Sequence, residues 1–209
     1  YSNGVFATLD VPGATETIPT SINDSGQVAG YYRDGSGPHG FVYSNGVFAT
    51  LDAPGATETI PTSINDSGQV VGSYRDGSGA THGFIYSNGT FTTLDPPGAT
   101  SSDATSINDS GQVVGYYWDG SGPHGFMYGN GAFATLDISG ALSTVATSIN
   151  DSGQVAGYYF DNSGQHGFVY SNGTFTILDV PGTTSTYPTS INNRGQAAGY
   201  YRGGSRDHA

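Results

Sequence analysis

The chain has no cysteine and no lysine, one methionine and one tryptophan among its 209 residues, and only 11% of it is charged. Without cysteine there is no disulfide framework and no thiolate metal site. Five arginines stand against 17 acidic residues, for a formal net charge of −12. A surface with no basic patch cannot neutralise phosphates, which argues against nucleic-acid binding, and it does not dock on anionic lipid. No apolar run comes near the ~20 residues of a membrane span. A helix-period apolar stripe is missing throughout. What abounds is glycine, at 34 residues, with 10 prolines, 15 tyrosines and 10 phenylalanines. That aromatic content is too high for an acidic disordered chain, so a folded, soluble, β-rich protein is expected.

The dominant feature is a repeat. Ser-Ile-Asn-Asp-Ser-Gly-Gln begins at Ser21, Ser63, Ser106 and Ser148, and a variant, Ser-Ile-Asn-Asn-Arg-Gly-Gln, begins at Ser190. Tyr-Ser-Asn-Gly begins at Tyr1, Tyr43, Tyr86 and Tyr170, with a variant at Tyr128. His-Gly-Phe begins at His39, His82, His124 and His166, and His208-Ala209 opens a fifth copy. The chain is read as one domain, 1–209, in five units: 1–42, 43–85, 86–127, 128–169 and 170–209.

Each unit holds four short strand candidates, seen in the first as Thr20–Asn23, Gln27–Tyr32, His39–Tyr43 and Val47–Leu51. Asn45-Gly46 between two such runs is a strong hairpin signal, because a type I′ turn needs positive φ at both central residues. Asp-Ser-Gly suits a slightly longer hairpin with glycine in the left-handed region. Four strands in about 42 residues, repeated five times, predict an all-β, five-bladed β-propeller with four antiparallel strands per blade. A lone four-stranded sheet of this size cannot cover both faces, and stacking on two neighbours does so. Gly30, Gly72, Gly115, Gly157 and Gly199 lie inside a strand, where close approach of neighbouring blades would explain them.

The strand–glycine turn–strand pattern resembles the inner pair of an NHL-type blade, which implies that Thr20–Asn23 is innermost and Val47–Leu51 outermost. The chain then opens within a third strand at Tyr1, runs into an outer strand at Val5–Leu9, and ends on the first residues of a third strand, His208-Ala209. N- and C-terminal pieces are therefore expected to share one blade. The Phe-Val that elsewhere joins His-Gly to Tyr is missing at that join, as excision from a longer protein would leave it. A monomer, or an oligomer formed through this broken blade, follows.

Taken together, His-Gly-Phe-Val-Tyr-Ser-Asn-Gly, then Leu-Asp, then Ser-Ile-Asn-Asp-Ser-Gly-Gln-Val-Ala-Gly-Tyr resemble the HAF repeats of bacterial extracellular proteins. Those carry His-Ala-Phe, where this chain has His-Gly-Phe and reads His-Ala only at His208-Ala209. The resemblance covers the whole chain. It implies an exported bacterial protein of propeller-like fold and carries no defined activity.

Several motifs have plain structural readings. Gly35 to Gly40 and Gly120 to Gly125 match G-x-G-x-x-G literally, but a strand follows where a dinucleotide site needs a helix N-terminus. No cofactor is expected. The histidines come one per unit, and packed sheets ~10 Å apart keep equivalent rings too far apart for ligands ~2.0–2.1 Å from one ion. A structural role is expected, each ring bonding the adjacent Asp-Gly loop, and no metal. Three series of aspartates at turns are read as caps of local backbone amides. Near-identical copies give carboxylates near-identical environments, whereas acid–base catalysis needs unlike ones. No enzymatic activity is expected.

The differences between units carry more information. Arg33, Arg75, Trp118 and Phe160 occupy one equivalent place, preceded by Tyr32, Tyr74, Tyr117 and Tyr159 and followed by Asp34, Asp76, Asp119 and Asp161. With His39, His82, His124 and His166 these form the candidate ligand site. Aromatic rings beside Asp, Ser and Gly have the chemistry of a sugar site, with ring faces for the apolar side of the sugar and polar groups for its hydroxyls. Packing between blades is the structural alternative for the same tyrosines. The expected function is a non-enzymatic, lectin-like, multivalent binding propeller with glycans as partners. The alternative is a structural or protein-interaction module with one protein partner and no small-molecule ligand, and a glycoside hydrolase ranks third.

Overall fold

A computed structural model of the chain describes residues 4, 6–203 and 206–208, with 206 and 207 by backbone alone. Every regular element among the described residues is a β-strand. Sheet one holds β1 (Glu16–Ile22), β2 (Val28–Arg33), β3 (Pro38–Ser44) and β4 (Val47–Thr50). Sheet two repeats it as β5 (Glu58–Ile64), β6 (Val70–Arg75), β7 (Thr81–Ser87) and β8 (Thr90–Thr93). Sheet three is β9 (Ser101–Ile107), β10 (Val113–Trp118), β11 (Pro123–Gly129) and β12 (Ala132–Thr135). Sheet four is β13 (Ser143–Ile149), β14 (Val155–Asp161), β15 (Gly164–Ser171) and β16 (Thr174–Leu178). A fifth, shorter set follows: β17 (Ser185–Ile191), β18 (Ala197–Gly203) and β19 (Arg206–His208). Within each sheet the strands lie side by side in chain order, antiparallel. A single parallel bridge, Gln165 to Ser185, joins the fourth and fifth. Pro38 and Pro123 stand in the equivalent place of sheets one and three, where they have no N–H to give.

The turn chemistry is as the sequence requires. Asn45 and Gly46 both have positive φ, at 51° and 86°, and Gly26 sits at 75° in the Asp-Ser-Gly turn. The innermost strand begins at Glu16, four residues before the expected Thr20, and so contains Pro19. It accommodates the proline at a bulge, where the register slips between Pro19 and Ser21, the place in a sheet where a missing N–H costs least.

That bulge also corrects the reading of the in-strand glycines. A Cβ on Gly30 would run into the Ile18 carbonyl oxygen and lie 2.8 Å from Pro19 Cα and from the Phe41 ring, all in its own sheet. Gly30 is therefore fixed by the bulge beside it and not by a neighbouring blade. Gly40 and Gly167 do meet a neighbour: a Cβ there would stand 3.1 Å from the Pro61 ring of sheet two and 2.8 Å from the Pro188 ring of sheet five, although at Gly40 the Leu51 carbonyl just past β4 is nearer still.

A second correction concerns the chain ends. The expected outer strand at Val5–Leu9 is not formed over Phe6–Leu9, and Val5 lies outside the described residues. The remaining pieces of that shared blade, at residues 1–3, 5, 204, 205 and 209, lie outside the described residues. Elsewhere the outer strand pairs with Phe-Val-Tyr-Ser of the third strand, as β4 does with Phe41 to Ser44. The third strand of the fifth set is described over Arg206–His208.

Cores form between sheets rather than within them. Phe41, Phe84, Phe126 and Phe168 are fully buried, and each carries an outer-strand phenylalanine against it, Phe48 and Phe133 edge-on to theirs. One cluster joins Val71 of sheet two to Ala104, Ile107, Val113, Tyr117 and Phe126 of sheet three. Its counterpart joins Val114 of sheet three to Ala146, Ile149, Val155, Tyr159 and Phe168 of sheet four. Burying each such Phe or Val contributes about 1.5–3 kcal/mol.

At the inner end of the sheets, the Ile-Asn-Asp turns of sheets one to four, with Ile191 and Asn193 of the fifth, line one small polar pocket of about 210 Å³. The turns are linked in sequence. Asn23 Nδ2 donates to Asn65 O, Asn65 to Asn108 O, Asn108 to Asn150 O and Asn150 to Asn192 O, at 2.8–3.0 Å. A parallel series runs from Asp24 N to Asp66 Oδ1, then to Asp109, Asp151 and Asn193. The aspartates of this turn thus cap the amide of the preceding unit, not a local one.

Gly115→Ala tests the bulge constraint, because its Cβ would strike the Asp103 carbonyl and the Phe126 ring. It should destabilise the protein by more than about 2 kcal/mol. Gly35→Ala, with open space around it, should change the melting temperature by no more than about 2 °C. Circular-dichroism melts of both variants decide the matter.

Candidate functional site

The sequence-predicted residues converge at the end of each sheet remote from the axial turns, where the second strand passes to the third. Tyr32 and His39 are cross-strand partners in β2 and β3, and their rings stack at 5.3 Å. The same pairs form at Tyr74–His82, Tyr117–His124 and Tyr159–His166, at 5.0–5.3 Å, and again at Tyr201–His208.

Each ring is held from both edges. His39 Nδ1 meets Asp52 Oδ2 at 2.8 Å, and Nε2 meets Ser36 Oγ at 2.8 Å. Asp52 arrives there because Leu51 N donates to Gly40 O, and its other oxygen accepts Gly40 N. Ser36 is positioned by Asp34 Oδ1, which accepts both its N–H and its hydroxyl. Ser121–His124–Asp137 and Ser163–His166–Asp179 repeat the arrangement. In sheet two the loop is one residue longer. There Asp76 Oδ2 contacts His82 Nε2 directly at 3.4 Å, and Asp76 Oδ1 binds Ser78 N and Ala80 N. The histidine thus bonds the expected loop and, in addition, the aspartate that follows the outer strand.

A Ser–His–Asp series at these distances has the outline of a hydrolytic triad, with the serine hydroxyl also held by an aspartate of its own loop. The Ser36 hydroxyl lies 2.7 Å from Asp34 Oδ1 and 2.8 Å from His39 Nε2, so its one hydrogen can serve either, and where it goes to Asp34 the ring donates from Nε2. An imidazolium would satisfy both bonds by donating to each, whereas a neutral ring protonated at Nδ1 would accept at Nε2 from Ser36. Ser36 N, which could otherwise face an oxyanion, is also bonded to Asp34. The electrostatics agree. His39 and His124 are raised above 6.5, chiefly by their bonds to Asp52 and Asp137. At His82 and His166 burial is the largest influence and pulls downward, yet the carboxylates together outweigh it and the net shift is upward. Asp34, Asp119 and Asp161 are held below 3.8, mainly by the serine that bonds them, and Asp76, bonded by Ser78, falls to about 2.

Outside this clasp stands the variable residue. Arg33 pairs with Glu16 at 3.2 Å and lies 5.7 Å from the Tyr31 ring, while Trp118 and Phe160 are 45% and 41% exposed. Two polar clefts open nearby. One, of about 350 Å³, lies against sheets four and five and is lined by Ser163, Gln165, His166, Asp179 and the loop from Val180 to Thr186. The other, of about 220 Å³, is lined by Glu58, Tyr74, Arg75 and Asp103 among others.

Sequence reasoning missed two residues here. Gln165 is buried, with neither amide atom hydrogen-bonded; its signal was a glutamine where Pro38, Thr81 and Pro123 stand. Asp103 replaces Ile18, Ile60 and Val145 in an inner strand. Burial pushes its carboxyl up, against hydrogen bonds from Ser73 and Tyr116. Tyr116 in turn is pushed up to about 12 by burial and by that carboxylate.

No family model matches the chain, and no curated protein matches it. Solved structures do. TolB from Acinetobacter baumannii superposes with a TM-score of 0.65 at 16% identity, over 92% of this chain and 50% of that one. The nidogen/laminin complex gives 0.57 at 14% identity, over 92% and 73%. Virginiamycin B lyase from Staphylococcus aureus gives 0.54 at 12%, over 88% and 62%. The chain thus spans half the length of the TolB chain it matches. The likeness concerns the fold alone, and the fold is propeller-like.

The clasp makes stability depend on pH. A histidine raised in the folded state stabilises fully below its unfolded value of about 6.5, and that contribution is lost as pH rises through the higher folded value. An aspartate lowered in the folded state stabilises above about 3.8, and loses this as pH falls through its folded value. The melting temperature should therefore peak between roughly pH 4 and 6.5 and fall on both sides. His124→Gln should flatten part of the alkaline fall. A melting temperature that still climbs from about pH 6 to 8 would contradict the charged clasp.

Proposed function

We propose that the five repeat units are five blades of one propeller, and that the protein is a non-enzymatic, exported bacterial binding module of lectin-like character, recognising carbohydrate through weak, repeated sites. The observation that carries this reading is the Tyr–His–Asp–Ser clasp, made four times on one rim with an exposed Arg, Trp or Phe beside it. A stacked ring flanked by hydroxyls, carboxylates and a cleft of several hundred Å³ is suited to a polyhydroxylated ligand with one apolar face. The HAF-like repeat supports export. Sites of one kind on a rigid frame would raise avidity by about 10²–10⁴ on a multivalent surface.

Trp118 is the only tryptophan and stands on that rim, so its emission reports the proposed site directly. Titration with a panel of soluble mono- and disaccharides should shift or quench it, and Asp119→Ala should weaken the response at least about tenfold. A panel that leaves the Trp118 and tyrosine signals unchanged would count against carbohydrate and favour a protein partner.

A further inference from the structure

Four junctions join the five sheets, and all are alike. Across each, a threonine hydroxyl also reaches the next sheet, as Thr20 does to Pro61 O and Thr147 to Pro188 O, at 2.9 Å. In return, the amide of the next isoleucine donates to a serine hydroxyl, as Ile64 N does to Ser21 and Ile191 N to Ser148. The corresponding groups of sheets five and one are present but not joined. Among the described residues, Asn192 Nδ2 bonds its own turn, at Gln196, and Thr189 bonds Ala198 O, with no bond from either to sheet one. Ile22 is 67% exposed, where Ile64, Ile107, Ile149 and Ile191 are 5–6% exposed. Asn192 is exposed, where Asn23, Asn65, Asn108 and Asn150 are buried.

A repeated junction imposes a constant rotation between neighbours. Were that rotation one fifth of a turn, sheet five would meet sheet one through the same residues. The turns of all five sheets nevertheless line one axial pocket, so they circle a common axis. The rotation is therefore smaller than a fifth, and the next closed number is six. Leu9 agrees with this. It shares a cleft with Ile22 and Val28 of sheet one, as Leu51 packs with Ile64 and Val70 of sheet two, so it occupies the place of a residue arriving from a preceding sheet.

We infer that the gap between sheet five and sheet one is a sixth blade position, and that its occupant is one more repeat unit of this kind. Its inner turn would accept from Asn192 Nδ2, Asn193 N and Thr189 Oγ1 on one wall. On the other it would donate to Asn23 O, Asp24 Oδ1 and Pro19 O and accept the Ile22 amide. Phe6–Leu9 would supply residues of its outer strand.

Three extensions after Ala209 test this against the 209-residue chain. A copy of residues 168–178 completes the fifth sheet without adding a unit; a copy of residues 168–209 adds one whole unit; two such copies add two. Hydrogen exchange at the Ile22 amide is read in each, with light scattering for mass. The one-unit extension should slow exchange at Ile22 at least about 100-fold in a monomer, and the short one should leave it as in the parent. Protection already present in the parent, or produced by the short extension, would mean that the ring closes at five. Ile22 left unprotected by one unit would mean an open array. Protection found only in dimers would assign the gap to a second copy. Each of these three overturns the inference.

Discussion

The structure depends on a side-chain amide that does two jobs at once. Asn65 Oδ1 accepts Gln69 N, and its Nδ2 donates to Gln69 Oε1, which closes its own hairpin. The second Nδ2 hydrogen reaches Asn108 O of the next sheet. An aspartate has no hydrogen to give and a serine has only one, so asparagine is the residue that can fix a turn and a junction together. With the inner turns tied at this spacing, the apolar faces above them are brought to packing distance. Val71 then meets Val113 and Phe126, and Val114 meets Val155 and Phe168. The burial that stabilises the fold is thus distributed over junctions, and a sheet taken alone would have its two faces in water.

The rim answers a different problem. A chain with a net charge of −12 and no lysine has few cations to set among its carboxylates. Histidine supplies them where two aspartates converge, at the corner between the second-to-third loop and the end of the outer strand. Asp52 and its equivalents belong to the segment that leaves for the next sheet, so the clasp fastens that exit to the loop beside it. Stacking on Tyr32 covers one face of the ring and leaves its edges to the carboxylates. The same residues are therefore both structural fastenings and the most chemically distinctive surface of the molecule.

Much of the fold was legible in the residues because the repeat presents each signal five times. The Asn-Gly and Asp-Ser-Gly turns fixed the hairpins, and their spacing fixed four strands per unit. What was not legible depended on relations between strands. Pro19 reads as the end of a strand until the bulge at its side is known, and Gly30 reads as an inter-blade contact for the same reason. The histidine series was recognisable as structural, but its main partner, thirteen residues on, could not be read from adjacency.

Where the frame is constant, the exceptions stand out. Asp103 in an otherwise apolar place, Gln165 in place of proline, and Trp118 and Phe160 where arginine stands elsewhere all lie near the same end of their sheets. Each changes one site while the asparagine turns and phenylalanine cores around it stay the same. A ligand held by such a rim would meet related but unequal sites. An arginine paired with glutamate offers hydrogen-bond donors, whereas an exposed indole offers a face, and only the second buries the apolar side of a sugar ring. Sheets three and four, with Trp118 and Phe160, are thus the aromatic arc of the rim, and the arginines of sheets one and two make the other arc polar and cationic.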